Sequence, residues 1–378
     1  MPLINIAADS QIPEIENRLA EFFDDDYSFK SFDSSIVSSS DFKNIDALLV
    51  RSTLFIDEGI CADTRIRYVG SATAGINHLD IDYLDAQNIS WSHAPGCNAF
   101  SVIHYVMAAI GELIKDGLFN TSQSIGIVGY GNIGRRLYKI LKALNFEVYA
   151  CDPFLSHSEL VNLDSILECD LITIHAPLTE ADKHPTFNLI NESHIQKVSN
   201  KILINTSRGE IISEAFLFKA NDLIYISDVW VNEPNPSLEI IKKSYIATPH
   251  IAGYSIDGKL NGAKIIAEEC AKAFNCLKLK SIKPLMSPDW PYELQNIITD
   301  IHRMSFPATL FHKELDLKLI SDAFKALSSK DLERDFRSLR TNHPPRHDFN
   351  CYSFRGMSKL DKDIDLKFFD ELRRAGNL

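Results

Sequence analysis

Short apolar runs alternate with segments whose apolar residues recur at three- and four-residue intervals through the first 280 residues. The runs "LINIAAD" (3–9), "DALLVRS" (46–52), "IRYVGSAT" (66–73) and "ISWSHAP" (89–95) predict strands, and "PEIENRLAEFF" (13–23) predicts a helix. Val102, Tyr105, Val106, Ala109, Ile110 and Leu113 then share one helical face, in a helix expected to start near Asn98 and to stop before Gly117. A second series follows, with strands expected at 124–129, 147–152, 171–175, 202–206, 223–228 and 245–248, and a closing helix at 258–277. Strands alternating with helices indicate an α/β architecture built on parallel sheets, because each crossover helix returns the chain to the same end of the sheet. After Lys283 the rhythm stops. "PLMSPDWPYELQ" reads as a proline-containing linker, and the remainder as a smaller α+β domain.

Between the strand at 124–129 and its helix stands "GYGNIG", which supplies Gly129, Gly131 and Gly134. Strand, glycine turn and helix in that order predict a dinucleotide site. Gly129 permits the turn, Gly131 lets backbone approach a pyrophosphate, and Gly134 lets helix pack on sheet. The N–H groups around Asn132 and Ile133 would face the phosphates. Asp152 ends the next strand, 18 residues beyond Gly134. Its carboxylate suits ribose hydroxyls and repels a 2′-phosphate, so the expected cofactor is NAD rather than NADP. Arg135 and Arg136 follow the turn on the helix.

Composition narrows the partners. A net charge of −12 with no basic block argues against nucleic acid and anionic membranes. The N-terminus shows no signal-peptide pattern, and no apolar run reaches the roughly 18–20 residues that span a bilayer. The seven cysteines are scattered, without paired spacing, and read as free thiols in a reducing cytoplasm.

Three later strand ends carry candidate chemistry: "ILINTSRGE" with Arg208, "ISDVWVNEP" with Asp228 and Glu233, and "IATPHIAGYS" with His250, Gly253 and Tyr254. In an open α/β sheet, ligands bind beyond the carboxyl ends of the strands, so these residues can converge. Oxidising a 2-hydroxy acid requires a grip on the carboxylate, for which arginine offers two parallel hydrogen bonds. It also requires a base, for which histidine is suited, and a glutamate beside that base would orient it and stabilise its protonated form. His78, His175 and His194 form no comparable set and read as structural, and no metal site is expected.

The motifs "GIVGYGNIGRR", "HAPLT", "INTSRGEIISE", "DVWVNEP" and "TPHIAGYS" together resemble the D-isomer-specific 2-hydroxyacid dehydrogenase family. "LLVRS", "VGSATAGINHLD", "APGCNA" and "TPHIAGYSIDGK" are similar to a branch of it that acts on a phosphorylated 2-hydroxy acid. The resemblance implies a Rossmann NAD-binding domain at 96–255, a flavodoxin-like substrate domain formed by 1–95 and 256–283, and a C-terminal dimerisation domain at 284–378. It implies a cytoplasmic homodimer. It places Arg208, Glu233 and His250 at catalytic positions. Asp152, Thr206, Ser207, Arg208, Asp228 and Gly253 fall around NAD, and Ser52, Thr73 and Tyr254 match substrate contacts. Ser52 and Thr73 each end a strand-like run, and Arg51 beside Ser52 is a further candidate for attracting phosphate. Sister dehydrogenases acting on 3-phosphoglycerate or hydroxypyruvate, and a non-enzymatic NAD-responsive corepressor, remain alternatives at this level.

Overall fold

A computed structural model describes residues 3–23, 26–276 and 315–348, and the backbone of 291–293 and 353–355. The chain divides into two compact units, Met1–Ala99 with Ser255–Ser287 and Phe100–Tyr254 with Pro288–Leu378.

In the first unit, β1 (Ile4–Asp9), β2 (Tyr27–Phe32), β3 (Ala47–Val50), β4 (Tyr68–Ser71) and β5 (Ser90–His93) form a parallel sheet in the order β2-β1-β3-β4-β5. This is the flavodoxin-like strand order. Alternate residues serve opposite faces: Ile6, Ala8 and Leu49 pack toward one cluster, and Ala7, Leu48 and Val50 toward another. Both clusters are covered, which is why β3 reads as an unbroken apolar run rather than an alternating one. The helices are α1 (Ile15–Phe22), α2 (Glu58–Cys61), α3 (Ile81–Ala86) and, later in the chain, α9 (Ile256–Ala273). Gly262 of α9 sits where a Cβ would come within 2.4 Å of the Ala72 carbonyl oxygen, so α9 can lie against the end of β4 only with glycine there.

The second unit opens with α4 (Ala99–Lys115), which is buried on every side from Ser101 to Leu113 rather than along the one expected face. β6 (Ser124–Val128), β7 (Glu147–Cys151), β8 (Leu171–Ile174), β9 (Ile202–Asn205), β10 (Ile224–Ser227) and β11 (Ile246–Ala247) form a parallel sheet in the order β11-β10-β9-β8-β6-β7. A single parallel bridge joins Leu160 to Ala150 on the far side of β7. Counting that bridge as a vestigial strand, the order becomes that of the dinucleotide-binding fold, with its reversal between β6 and β8. α5 (Gly134–Ala143), α6 (Leu163–Leu167), α7 (Glu214–Lys219) and α8 (Leu238–Lys243) cross between strands.

Later in the chain come α10 (Leu317–Lys325) and α11 (Leu332–Thr341), and β12 (Pro291–Glu293) pairs in parallel with β13 (Ser353–Arg355). Phe324 and Phe336 are buried in the core cluster that also holds Phe216, Trp230 and Ile241 of the second unit. The Ser321 hydroxyl accepts a hydrogen bond from the Ala247 N–H at 3.0 Å, and the Lys325 ammonium donates to the Tyr245 carbonyl at 3.0 Å. The expected boundary near residue 284 and most of the expected dimerisation domain lie outside the described residues.

Observed strands are shorter than the apolar runs suggest. The run 66–73 shrinks to Tyr68–Ser71, because Ala72 and Thr73 continue into a loop. Cys61, Cys151, Cys169 and Cys270 are buried free thiols, Cys97 is buried, Cys276 is a partly buried free thiol, and Cys351 lies outside the described residues. No described helix is long and apolar enough to cross a membrane.

Candidate active site

The glycine turn leaves β6 with Gly129 at φ +94°, a conformation suited to glycine. A Cβ there would lie 2.8 Å from the His175 carbonyl, and one at Gly134 would lie 1.9 Å from the Gly129 carbonyl oxygen. A Cβ at Gly131 would meet nothing within 4 Å. Two glycines are therefore required by packing, and the third leaves an open approach to the backbone. α5 begins beyond Ile133 with no side chain capping its N-terminus, so its first N–H groups are suited to an anion. Asp152 follows β7. Its carboxylate accepts from the Tyr130 N–H at 3.0 Å and the Phe154 N–H at 3.1 Å, which fixes it beside the turn.

The nearby cations are held on the helix. Arg136 donates to the Asn132 carbonyl at 2.6 Å and stands over the Phe100 ring, and Arg135 donates to the Asn132 side chain at 3.0 Å. Thr206 lies 3.3 Å from His175 Nδ1, and the Ser207 hydroxyl donates to the Ala176 carbonyl, so the end of β9 abuts the residues that Gly129 touches. An open glycine, an uncapped helix terminus and a fixed carboxylate at adjoining strand ends fit NAD. Replacing Asp152 with alanine is expected to shift the NAD:NADP ratio of kcat/KM toward NADP by at least about tenfold. This matches the loss of one hydrogen bond to a charged group, and steady-state kinetics with both cofactors measure it.

The other strand ends converge on a histidine. His250 has φ +58°, a left-handed conformation that costs a residue with a Cβ about 1 kcal/mol. Asp228, after β10, clamps the chain on both sides of it. Its carboxylate accepts from the Thr248 hydroxyl at 2.6 Å, the Ile251 N–H at 2.7 Å and the Ala252 N–H at 2.8 Å. Burial pushes the Asp228 carboxyl up to about 6, against the lowering effect of His250 and these donors. The Tyr105 hydroxyl of α4 lies 2.7 Å from the Thr248 hydroxyl and extends the network. Gly253 belongs to the turn closed by the Tyr254 N–H on the Ile251 carbonyl.

His250 Nδ1 lies 2.7 Å from Glu233 Oε2, and Glu233 Oε1 accepts from the Trp230 N–H at 2.9 Å. Burial works against the charged glutamate. The His250 charge and hydrogen bond, the Trp230 N–H and the Arg340 charge nevertheless bring the Glu233 carboxyl below the ordinary glutamate value. An ionised Glu233 can only accept, so Nδ1 carries the proton and Nε2 is left as the basic nitrogen. Arg208, after β9, donates to the Ser207 carbonyl at 2.7 Å, and its own carbonyl is held by Asn205 at 2.9 Å. Burial lowers the Arg208 guanidinium, with Glu233 and Glu210 opposing.

The substrate candidates of the first unit sit at its strand ends. Arg51 and Ser52 follow β3, next to the strand-order reversal between β1 and β3, and Arg51 donates to the Gln11 carbonyl at 3.2 Å. The Thr73 hydroxyl lies 2.8 Å from Ser71 Oγ and donates to the Gly75 carbonyl at 2.9 Å. His78 Nε2 completes this group, 2.8 Å from Ser71 Oγ, and burial lowers its pKa to about 4. Burial takes His175 down to about 3, and His194 caps the turn begun by Asn191. These three histidines hold loops.

The residues that sequence reading did not single out are those that brace the site. A Cβ at Gly209 would lie 2.1 Å from the Trp230 carbonyl carbon, so the residue after Arg208 must be glycine. The Trp230 indole donates to the Thr248 carbonyl at 2.9 Å and joins the Glu233 and His250 loops. The Arg340 guanidinium lies 5.3 Å from the Tyr254 ring centroid. "SRGE" contains the Gly209 signal, and Arg340 ends "DFRSLR", a segment that resembles relatives but carries no sign of a place beside Tyr254.

Residues 115–252 match the family model described as D-isomer specific 2-hydroxyacid dehydrogenase, NAD binding domain. An erythronate-4-phosphate dehydrogenase of Hahella chejuensis is 38% identical over 278 residues, covering 71% of this chain and 72% of its own. One from Cellvibrio japonicus is 31% identical over 373 residues, covering 93% of this chain and 95% of its own. Among solved structures, the NAD-bound 3-phosphoglycerate dehydrogenase of Entamoeba histolytica superposes with a TM-score of 0.62 at 23% identity, over 74% of this chain and 99% of its own. That likeness is one of fold.

Proposed function

Since this chain belongs to the erythronate-4-phosphate dehydrogenases, within the D-isomer-specific 2-hydroxyacid dehydrogenases, we propose that it oxidises the C2 hydroxyl of 4-phospho-D-erythronate. The products are (R)-3-hydroxy-2-oxo-4-phosphobutanoate, NADH and a proton, a step in pyridoxal 5′-phosphate biosynthesis. NAD, when bound, accepts the hydride from C2.

The chain supplies the rest. Arg208 holds the carboxylate and the oxygen at C2 through paired hydrogen bonds. His250 Nε2 takes the hydroxyl proton as the C2 oxygen becomes a ketone. Glu233, bonded to Nδ1, orients the ring and offsets the charge that forms on it. Asp228 holds the His250 loop and stands at the cofactor side with Thr206, Ser207 and Gly253. Gly129 to Gly134 and Asp152 bind the pyrophosphate and the ribose. Ser52, Thr73 and Tyr254, with Arg51, contact the substrate. Homodimer formation through residues 284–378 and a cytoplasmic location belong to the same reading.

The observation that carries it is the 2.7 Å pair of His250 and Glu233, set one strand end away from Arg208. A panel of acids followed by NADH absorbance tests it. 4-Phospho-D-erythronate is expected to show a kcat/KM at least tenfold above those of D-erythronate and 3-phosphoglycerate, as one charged hydrogen bond at the phosphate would provide. A higher value for 3-phosphoglycerate would place the chain with a sister enzyme.

A further inference from the structure

The C-terminal helix α11 delivers a cation to the group of residues around His250. Phe336 and Arg340 are one turn apart, so they share a helix face. Phe336 is 1% exposed and packs against Phe324, which fixes that face on the second unit. The guanidinium of Arg340 is thereby carried over Tyr254. Among the described residues its buried Nε has no hydrogen-bond partner and Arg340 forms no ion pair. The nearby carboxylate, Glu233, is already engaged by His250 and by the Trp230 N–H. Arg340 also acts electrostatically on both Arg208 and Glu233. Arg340 thus stands in the field of one glutamate that is otherwise committed, and its buried N–H is left without an acceptor among the described residues. An arrangement of this kind is relieved by an anionic ligand.

We infer that Arg340 is a substrate-binding residue that receives the terminal phosphate of the substrate, and so determines specificity for a phosphorylated acid. The inference rests on the function proposed above, which gives the carboxylate to Arg208 and leaves the phosphate as the second anion. A phosphate monoester carries about −1.5 to −2 charges and three acceptor oxygens at neutral pH, and the planar fork of arginine matches two of them. α11 belongs to the same compact unit as His250 and Arg208.

The test compares the full-length protein with Arg340→Met, which keeps an unbranched aliphatic side chain without the charge, and with Arg340→Lys, which keeps the charge. The expected result for Arg340→Met is a fall of about 10–100-fold in kcat/KM for 4-phospho-D-erythronate, the range of a hydrogen bond to a charged group. The kcat/KM for D-erythronate is expected to change less than about threefold, within the ordinary scatter of single contacts, and competitive inhibition by inorganic phosphate is expected to weaken in parallel. Arg340→Lys should show a smaller loss, again confined to the phosphorylated acid, and it decides the matter if Arg340→Met does not fold. An equal fall on both acids, or an unchanged phosphate preference, overturns the assignment while leaving the dehydrogenase reading intact. An unmodified protein that oxidises D-erythronate and not 4-phospho-D-erythronate overturns the proposed function, and this inference with it.

Discussion

Replacing His250 with alanine is expected to lower kcat by about 10²–10⁴-fold, the usual worth of a positioned general acid or base. NAD affinity, measured by fluorescence titration, should be nearly unchanged, because Gly129, Gly131, Gly134 and Asp152 stand on other strand ends. The pairing with Glu233 makes a sharper demand. Glu233 touches the reaction through His250 Nδ1, and its second oxygen is spent on the Trp230 N–H. If that is its whole contribution, Glu233→Ala should lower kcat by itself but add almost nothing once His250 is gone, because residues that act as a unit are strongly non-additive. A double variant whose loss equals the product of the two single losses would show Glu233 acting independently of the base, and would remove it from the role assigned here.

Most of the architecture that positions this pair was legible, for a physical reason. Strands in a parallel sheet are covered on both faces, so β3, β8 and β9 read as the uninterrupted runs "ALLV", "LITI" and "ILIN". Functional residues follow such runs, which is how Arg208, Asp228, Glu233 and His250 can be selected without knowing any contact between them. The glycine turn was legible because the three glycines stand between a strand and a helix, where a tight turn, an open backbone approach and close helix packing each call for one. The vestigial strand at Leu160 was not legible, since one bridge leaves no apolar periodicity. The role of Asp228 was only partly so: its position after β10 suggests a place near the cofactor, but its grip on the Ile251 and Ala252 N–H groups is a tertiary fact. Arg340 shows the limit most clearly. Its partner Tyr254 is far away in the chain, and on a helix otherwise rich in exposed charge it looks like one more solvated arginine.

Phe324→Ala is expected to destabilise the protein by about 3–5 kcal/mol, the usual cost of emptying a buried phenylalanine site, and to lower kcat as well. The texture after Lys283 suggests a separate domain with its own purpose, yet Phe324 is 0% exposed in a core cluster shared with the NAD-binding sheet. Its ring centroid lies 5.7 Å from that of Trp230. Trp230 in turn bonds the Glu233 carboxylate through its backbone N–H and the Thr248 carbonyl through its indole. A cavity beside that indole loosens both loops that hold the catalytic pair. The loss of stability, read from the urea midpoint at constant m-value, should therefore be accompanied by a loss of kcat at a temperature where the variant remains folded. Phe119→Ala is a suitable control. Phe119 is 2% exposed in the opposite core cluster of the same unit, against Phe146 and away from Trp230, so it should lose comparable stability with kcat nearly preserved. If Phe324→Ala behaves like that control, α10 contributes to the fold alone. If its kcat falls while the control's does not, the C-terminal helices are part of the framework that places Glu233 and His250.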